Sequence, residues 1–372
     1  MKILFSSNAS WSVHNFRTNL LKSLQKDGHE IFVVAKEDAY SKKLQKNGFN
    51  FKNINVSNNS KNPIKDLILI RDYIKVYKKL KPDIILHNAI KPNIYGTIAA
   101  NYLNIPTINN ISGLGTIFIK KSITTKLAKL LYKISQQKAA IVFFQNKTDK
   151  SLFISKNLVS KEKVRLIPGS GVNIDLFHPK LNTNQNNKRF EFLFIARLIK
   201  DKGIIEYLEA AKILKTKHKD KVTFSILGSF YNANETAITK SDLNKWINDG
   251  IINYIGETDT VESEIAHADC VVLPSYREGL SKVLIEASAM EKLIITTNVP
   301  GCKDVVIDGY NGYLCEVKST IDLANKMKKM FLLNEAKKKE MGLNARKRAV
   351  EVFDEKRIIE IYKREIYKIV EN

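Results

Sequence analysis

Two glutamates, Glu278 and Glu286, flank the start of a predicted helix, eight positions apart. The apolar strand Cys270–Leu273 is followed by a Pro-Ser pair, and the loop after this pair ends at Gly279. The first backbone N–H groups of a helix have no intrahelical acceptor and favour anions. Glu278 could accept a hydrogen bond from a sugar hydroxyl. A helical rise of ~1.5 Å per residue puts the two carboxylates on the order of 10 Å apart. Two ordinary solvated acids would give the same pattern.

Length and composition restrict the class of protein. The 372 residues suit two domains of α/β size. No apolar run approaches the ~18 residues that cross a bilayer, and the opening MKILFSS lacks the core of a signal peptide. We therefore expect a cytoplasmic protein. The three cysteines match no zinc or disulfide spacing and are expected to be buried thiols: Cys270, Cys302 and Cys315.

Positive charge is concentrated in the first half of the chain. Through Lys180 there are 30 Lys and Arg against 10 Asp and Glu, whereas the remainder has 31 against 28. The electrostatic field of such a positive excess attracts nucleic acid, an anionic membrane surface or a diphosphate-linked acceptor. The codon bias of an AT-rich genome also enriches lysine, although it does not account for the asymmetry.

The opening βαβ pattern predicts a parallel sheet. Strand Lys2–Ser6 is followed by a loop over residues 7–15 and a helix over Phe16–Asp27. The first turn has no G-x-G-x-x-G, which argues against a dinucleotide cofactor. Asn15 and Arg17 stand where this helix starts, and an arginine at the carboxyl edge of a parallel sheet can meet a phosphate.

A second polar loop is predicted at the same edge, after strand Asp83–Leu86. It carries His87, Asn88 and Lys91. His87 fits a ligand contact and a partly buried structural residue equally well. The later SGLG turn, residues 112–115, suggests close backbone approach to a ligand.

Residues 120–138 read as a basic amphipathic helix. Leucines and isoleucines recur at helical spacing beside six lysines. Such helices lie at membrane interfaces. The same apolar stripe would also dock an ordinary surface helix on its own core, which is the more common arrangement.

Two successive alternations of strand and helix predict an α/β fold with two doubly wound, Rossmann-like domains facing across a cleft. We place the first domain at residues 1–180 and a linker in the Asn-rich run 181–189. The second domain is expected at 190–353. The final helix, within 354–372, is long enough to pack back on the first domain.

Three separated blocks resemble family 4 retaining glycosyltransferases. They are residues 253–287, which include the Glu pair, residues 308–314 (DGYNGYL) and residues 194–203 (FIARLIKDKG). The resemblance implies the two-domain GT-B fold. NFR at 15–17, IKPNIYG at 90–96 and SGLG are similar to the acceptor-side loops of bacterial enzymes that extend undecaprenyl-diphosphate sugars. The histidine that many relatives place near the transferred sugar has no clear counterpart, since Asn88 or Ile90 holds its register.

The resemblance also implies roles for individual residues of the donor site. Arg197 and Lys202 would grip the diphosphate and, with Glu278, carry catalysis; charge-assisted donors suit a leaving group that becomes more negative. Glu278 would hold the transferred sugar. The remaining donor contacts would be Ser275, the backbone amides of Gly279, Leu280 and Ser281 beside the sugar, Glu286 on the ribose, and Ile255 and Gly256 at the base. No D-x-D occurs, which is consistent with a site that uses no metal ion or other cofactor.

The implied activity is transfer, with retention, of a hexose or N-acetylhexosamine from a UDP-sugar to a lipid-diphosphate-linked saccharide. The acceptor side would use Asn15, Arg17, His87, Asn88 and Lys91. The protein would associate peripherally with the inner face of the membrane through its basic half. A GT-B epimerase or phosphorylase is the alternative enzyme. A basic nucleic-acid-binding protein is the alternative from another class, although no aromatic platform or recognition helix is evident.

Overall fold

The computed structural model describes residues 1–56, 62–114, 123–181, 189–231 and 234–371, with the side chains of 123 and 124 excluded. These residues form two compact units. The first comprises Met1–Ser170 with Lys356–Asn372, and the second is Gly171–Glu355. Residues 171–180, which we assigned to the first domain, belong to the second because Val172 exchanges backbone hydrogen bonds with Phe353 and Glu355. Most of the expected linker, residues 182–188, lies outside the described residues.

The first unit is a seven-stranded sheet in the order β3-β2-β1-β4-β5-β6-β7, with every pair parallel. Its strands are β1 (Lys2–Ser6), β2 (Glu30–Ala35), β3 (Asn50–Asn53), β4 (Ile84–Asn88), β5 (Thr107–Ile111), β6 (Ile141–Phe144) and β7 (Val164–Leu166). Its helices are α1 (Ser10–Lys26), α2 (Ser41–Lys46), α3 (Pro63–Leu80), α4 (Thr97–Tyr102), α5 (Ile123–Gln136), α6 (Lys147–Ser155) and α13 (Glu355–Val370).

The second unit is a six-stranded parallel sheet in the order β10-β9-β8-β11-β12-β13. Its strands are β8 (Phe190–Ile195), β9 (Val222–Leu227), β10 (Asn253–Gly256), β11 (Cys270–Leu273), β12 (Leu293–Thr297) and β13 (Tyr313–Cys315). Its helices are α7 (Ile204–His218), α8 (Lys240–Asn248), α9 (Val261–His267), α10 (Lys282–Ala289), α11 (Thr320–Phe331) and α12 (Glu335–Arg348). The α/β prediction is confirmed.

Both sheets reverse their strand order beside the first strand of the unit, at β1/β4 and at β8/β11. Ligands of doubly wound sheets bind outside the carboxyl ends of the strands at such a switch point. The loops behind β8 and β11 are the segments that carry Arg197, Lys202 and Glu278. The topology therefore brings the predicted donor residues to one edge.

The C-terminal helix α13 belongs to the core of the first unit. Ile358, Tyr362 and Ile366 are buried in the cluster that covers one sheet face together with α1. The Tyr362 ring meets Phe143 of β6 edge-on, with 4.8 Å between ring centroids. Helix α3 and the segment behind β4 pack on the opposite face.

Helix α1 begins six residues earlier than we predicted. The loop expected over residues 7–15 is wrong, because the chain turns helical at Ser10 and buries Val13 one turn later. Serine, asparagine and histidine are weak helix formers, so the sequence hid the first turn. Tertiary packing supplies what local propensity does not. Asn15 and Arg17 consequently lie inside the helix.

The polar loop predicted behind strand Asp83–Leu86 is also wrong. Strand β4 continues through His87 and Asn88, and a helix starts at Ile90, with a π-helical segment over Pro92–Gly96 before α4. Proline is tolerated here because it stands in the first turn of a helix. Ala89 joins strand to helix with a φ of 79°, a left-handed value unusual for a residue with a side chain.

The His87 side chain is 1% exposed and bonded at both ring nitrogens. Nδ1 lies 2.9 Å from Asn109 Oδ1, which can only accept, so this nitrogen carries the proton. Nε2 then accepts from the Tyr77 hydroxyl at 3.0 Å. Burial lowers the pKa of His87 from 6.5 to about 4, against a smaller opposing effect of the Asn109 hydrogen bond. His87 therefore stays neutral inside the fold at pH 7.

The loop that carries Lys202 approaches the loop behind β11 at Gly203. This glycine has a φ of 76°, and an added Cβ would lie 2.1 Å from the carbonyl oxygen of Pro274. The two loops are joined by Tyr276 N–H, which donates to Asp201 O at 2.9 Å. A side chain at position 203 would push them apart, so the approach requires glycine.

We predict that Gly203→Ala lowers the free energy of unfolding more than Gly309→Ala does. Both glycines have a left-handed φ, 76° and 75°, but a Cβ at Gly309 meets nothing within 4 Å. The shared backbone cost is about 1–2 kcal/mol, and the overlap with Pro274 should add about 1–3 kcal/mol. Denaturant unfolding of both variants measures the difference. Equal losses would contradict the close approach.

We predict that His87 lowers the free energy of unfolding as the pH falls below about 6.5. The unfolded histidine takes up its proton near pH 6.5 and the folded one only near pH 4, so stability is lost as the pH falls between these values. The full effect is about 3 kcal/mol. His87→Gln should therefore be less stable than the wild type at pH 7, with a gap that narrows by about that amount toward pH 4. A gap in unfolding free energy that is constant with pH would refute the assignment.

Candidate active site

The centre of the site in the second unit is an ion pair between Lys202 and Glu278. The Lys202 ammonium donates a hydrogen bond to Glu278 Oε1. The two side chains are 19% and 14% exposed, so the pair is shielded but open on one side. Lys202 ends a short helical turn behind β8, and Glu278 lies in the loop behind β11. A cation and a carboxylate that were 76 positions apart in sequence are thus in contact.

Backbone contacts hold Glu278 in place from the other side. Its N–H donates to Pro300 O at 3.1 Å, and Ser281 N–H donates to Gly301 O at 3.1 Å. A Cβ on Gly301 would lie 2.5 Å from the carbonyl carbon of Glu278. The loop behind β12 therefore fits under the glutamate only because position 301 lacks a side chain.

The amide of Ser281 is not available to a donor molecule, contrary to our expectation. It is already bonded to Gly301 O. The Ser281 side chain is the N-cap of α10, and its hydroxyl accepts from Leu284 N–H at 3.5 Å. Of the predicted amide donors beside it, Gly279 is buried and Leu280 is half-buried.

Arg197 is exposed and lies over an aromatic ring. Its guanidinium carbon is 4.8 Å from the centre of the Tyr231 ring, a geometry that attracts the cation to the ring face. The residue follows the end of β8, at the same sheet edge as Lys202. It can supply a second positive charge without first leaving a carboxylate, because none of the ion pairs found in the described ranges includes it.

Glu286 lies on α10, eight positions after Glu278 in the sequence. It is 8% exposed, and burial raises its pKa above the ordinary value, while the charge of Lys282 acts in the opposite direction. Lys282 Nζ is 3.4 Å from Glu286 Oε1, one helical turn away. The i,i+4 spacing of this pair could be read from the sequence, but the predicted donor site did not include Lys282.

The other predicted donor contacts differ in exposure. Ser275 is fully buried, and its hydroxyl donates to Asp201 O at 3.3 Å, so it joins the two loops. Ile255 is 41% exposed at the end of β10, and Gly256 has a φ of 94°. An exposed apolar side chain beside an open glycine could pack against a flat base.

The predicted acceptor residues all lie in the first unit, but they do not form one cluster. Asn15 and Arg17 are on α1, which packs on the opposite sheet face from the helix that carries Lys91. Asn15 donates to Trp11 O at 2.9 Å. Arg17 is 3% exposed, with its guanidinium carbon 5.6 Å from the Tyr362 ring centre.

The remaining acceptor candidates are tied into the protein. Both ring nitrogens of His87 are bonded internally, so it cannot contact a saccharide and we withdraw it from the acceptor set. Asn88 is 9% exposed and accepts from Asn110 Nδ2 at 3.1 Å. Lys91 pairs with Asp66 at 2.8 Å. The glycine that ends the SGLG turn lies outside the described residues.

Comparison with known proteins covers both units. The "Glycosyl transferase 4-like" family model matches residues 2–146, and "Glycosyl transferases group 1" matches residues 179–348. The chain is 29% identical to the N,N'-diacetylbacillosaminyl-diphospho-undecaprenol alpha-1,3-N-acetylgalactosaminyltransferase of Campylobacter jejuni, over 91% of this chain and 90% of that protein. It is 26% identical to an Escherichia coli UDP-Gal:alpha-D-GlcNAc-diphosphoundecaprenol alpha-1,3-galactosyltransferase, over 72% of this chain and 71% of that protein.

Solved structures share the fold over nearly the whole length. A glycosyltransferase from Rickettsia africae has a TM-score of 0.81 at 21% identity and covers 99% of this chain and 98% of its own. Anabaena HepE, solved in complex with UDP-glucose, has a TM-score of 0.81 at 18% identity, and the match covers 99% of this chain and 100% of HepE. With the matches to both units, these findings confirm the predicted GT-B fold. The chain is a glycosyltransferase, with a 4-like family model matched in its first unit and a group 1 model matched in its second.

Proposed function

We propose that this glycosyltransferase moves a hexose or N-acetylhexosamine from a UDP-sugar to a lipid-diphosphate-linked saccharide, with retention and without a metal ion. The observation that carries the proposal is the Lys202–Glu278 pair at the switch point of the second sheet. The names of the Campylobacter and Escherichia relatives support the acceptor class. The Anabaena complex with UDP-glucose supports the donor class.

In this proposal the cations act on the leaving group. As the bond from the anomeric carbon to the diphosphate oxygen breaks, UDP gains negative charge, which Lys202 and Arg197 compensate. The anomeric carbon forms its new bond to an acceptor hydroxyl, whose proton leaves with UDP. Lys202 must turn from Glu278 toward the diphosphate, which frees the glutamate to accept from a sugar hydroxyl. The two side-chain cations would perform the electrostatic role that a divalent ion performs elsewhere.

The ribose and base would occupy the rest of the same edge. Glu286 would accept from the ribose hydroxyls, and Ile255 with Gly256 would receive the base. Asn15, Arg17, Asn88 and Lys91 remain candidates for the acceptor in the first unit. Lys91 would reach an acceptor phosphate only by exchanging Asp66 for it.

We also propose that the first unit binds an anionic membrane surface through α5. Leu127, Leu130 and Ile134 of the predicted apolar stripe are 51%, 54% and 47% exposed. The expectation that the stripe docks on the core is therefore met at Leu131, which packs against it, but not at these three residues. The buried face is instead formed by Tyr132, Ser135 and Gln136. Lysines 126, 129 and 133 flank the exposed stripe.

The combination of an apolar stripe and lysines fits a bilayer surface with negative headgroups. None of the helices in the described ranges is long and apolar enough to span a membrane. Contact through a helix face would bring the enzyme to an acceptor whose lipid tail is embedded. The site of action would then be the inner face of the membrane.

We predict that Lys202→Ala and Glu278→Ala each lower turnover by about 10²–10³-fold. Each variant leaves one partly buried charge unpaired and should lower the melting temperature, while far-UV circular dichroism should show that the fold is retained. The assay follows label from UDP-sugars into lipid, with and without lipid-linked saccharide, in EDTA. The matched control is Glu340→Ala, which breaks an exposed Lys337–Glu340 pair on α12. Wild-type activity in both site variants would refute the site. Consumption of donor without lipid would indicate an epimerase or phosphorylase, and loss of activity in EDTA would refute metal independence.

We predict that replacing Leu127, Leu130 and Ile134 together by serine weakens binding to anionic vesicles by about tenfold or more, because each buried apolar side chain contributes on the order of 1 kcal/mol. Vesicle sedimentation measures the loss. The control is Ile321→Ser with Leu332→Ser, which removes two similarly exposed apolar residues from the second unit. Unchanged binding of the triple variant, or equal binding of the wild type to neutral vesicles, would contradict the proposal.

A further inference from the structure

Lys282 is a cation of the second unit that neither the resemblance nor the predicted site assigned. It is the first residue of α10 and makes two polar contacts through one ammonium group. Nζ donates to Gly171 O at 2.8 Å and lies 3.4 Å from Glu286 Oε1. The side chain is 21% exposed. It therefore connects the backbone before β8 with the second glutamate of the donor site.

The backbone that Lys282 grips is itself fixed. Val172 N–H donates to Phe353 O at 2.8 Å, and Glu355 N–H donates to Val172 O at 3.0 Å. Beyond them, Arg346 donates to Phe177 O at 2.9 Å. Because Gly171 sits beside these bonds, its carbonyl presents a fixed acceptor to the ammonium.

Glu286 needs such a partner more than an exposed glutamate would. It is 8% exposed, and a carboxylate taken out of water without a compensating partner is costly. The nearby negative charge of Glu262 adds to this cost. Among the ion pairs of the described residues, Glu286 forms one with Lys282. Removal of this lysine would leave a buried carboxylate free to protonate and to rotate about its side-chain bonds.

We propose that Lys282 is a positioning residue of the donor site, which holds the Glu286 carboxylate in the orientation that accepts the ribose hydroxyls of a nucleoside diphosphate. The inference rests on the proposed function, in which Glu286 binds the ribose. The fixed Gly171 carbonyl sets the position of the ammonium, and the ammonium sets the position of the carboxylate. Lys282 itself does not contact the nucleotide.

Calorimetric binding of UDP and of 2′,3′-dideoxyuridine diphosphate tests the inference, because the second compound lacks the hydroxyls that Glu286 accepts. Hydrogen bonds to a charged group should give the wild type about a tenfold or greater preference for UDP. Lys282→Met should reduce this preference to about threefold or less and leave the affinity for the dideoxy compound unchanged. Lys282→Arg should restore most of it, since a guanidinium can bridge the same two oxygens.

Three further variants make the result specific. Glu286→Gln should lose the preference, and adding Lys282→Met to it should cause no further loss, because the two residues act through one contact. Lys328→Met, an exposed lysine on α11, should behave as the wild type. Melting temperatures of all variants check that the fold is retained.

The outcomes separate this inference from the function on which it rests. If Lys282→Met weakens both compounds equally, the lysine contacts the diphosphate or only supports the fold, and the positioning role is overturned. If Lys282→Met keeps the full preference, the role is likewise overturned. If the wild type binds UDP but shows no preference, Glu286 does not read the ribose and this inference fails with it. If the wild type binds neither compound, the proposed donor class is wrong.

Discussion

The second unit depends on the electrostatic pairing of Lys202 with Glu278. Each of the two charges is mostly withdrawn from water, and each compensates the other's lost hydration. The pairing is possible because the loops behind β8 and β11 touch at Gly203 and because the loop behind β12 supports Glu278 through Gly301. In the proposed function a diphosphate, which carries more charge than one carboxylate, would displace Glu278 from the lysine. The pair would then neutralise the site internally until the donor binds.

The first unit uses the carboxyl edge of its own sheet in a different way. Where the second unit places opposite charges, the first places a neutral network of His87, Asn109, Thr97 and Gln136 between sheet and helices. Such a network stabilises the fold only when its polar atoms are paired. Several polar residues that looked like ligand contacts are therefore structural, and fewer of the candidate acceptor residues are exposed than the sequence suggested.

Much of the fold, and the placement of the candidate donor residues on loops at one sheet edge, could be predicted because the signals are local. Alternating apolar strands and amphipathic helices predict parallel sheets, and the segment around Glu278 is similar to one family over a continuous stretch. The errors have physical causes. The first turn of α1 is stabilised by burial of Val13 rather than by propensity, and His87 reads as a loop residue unless its partners in β5 are known. The contact of Gly301 with Glu278 depends on φ and on register, which no composition reveals.

The discontinuity of the first unit has a consequence for the order in which the protein is made. Residues 1–170 leave the ribosome before α13, yet one face of their sheet is covered by α13 together with α1. Until α13 emerges, the apolar surface around Phe143 lacks the cover that Tyr362 provides, while the second unit is continuous and can fold as soon as it is complete. Translation therefore leaves an early, incomplete core waiting for its final segment, and chaperones have a defined surface to protect during that interval.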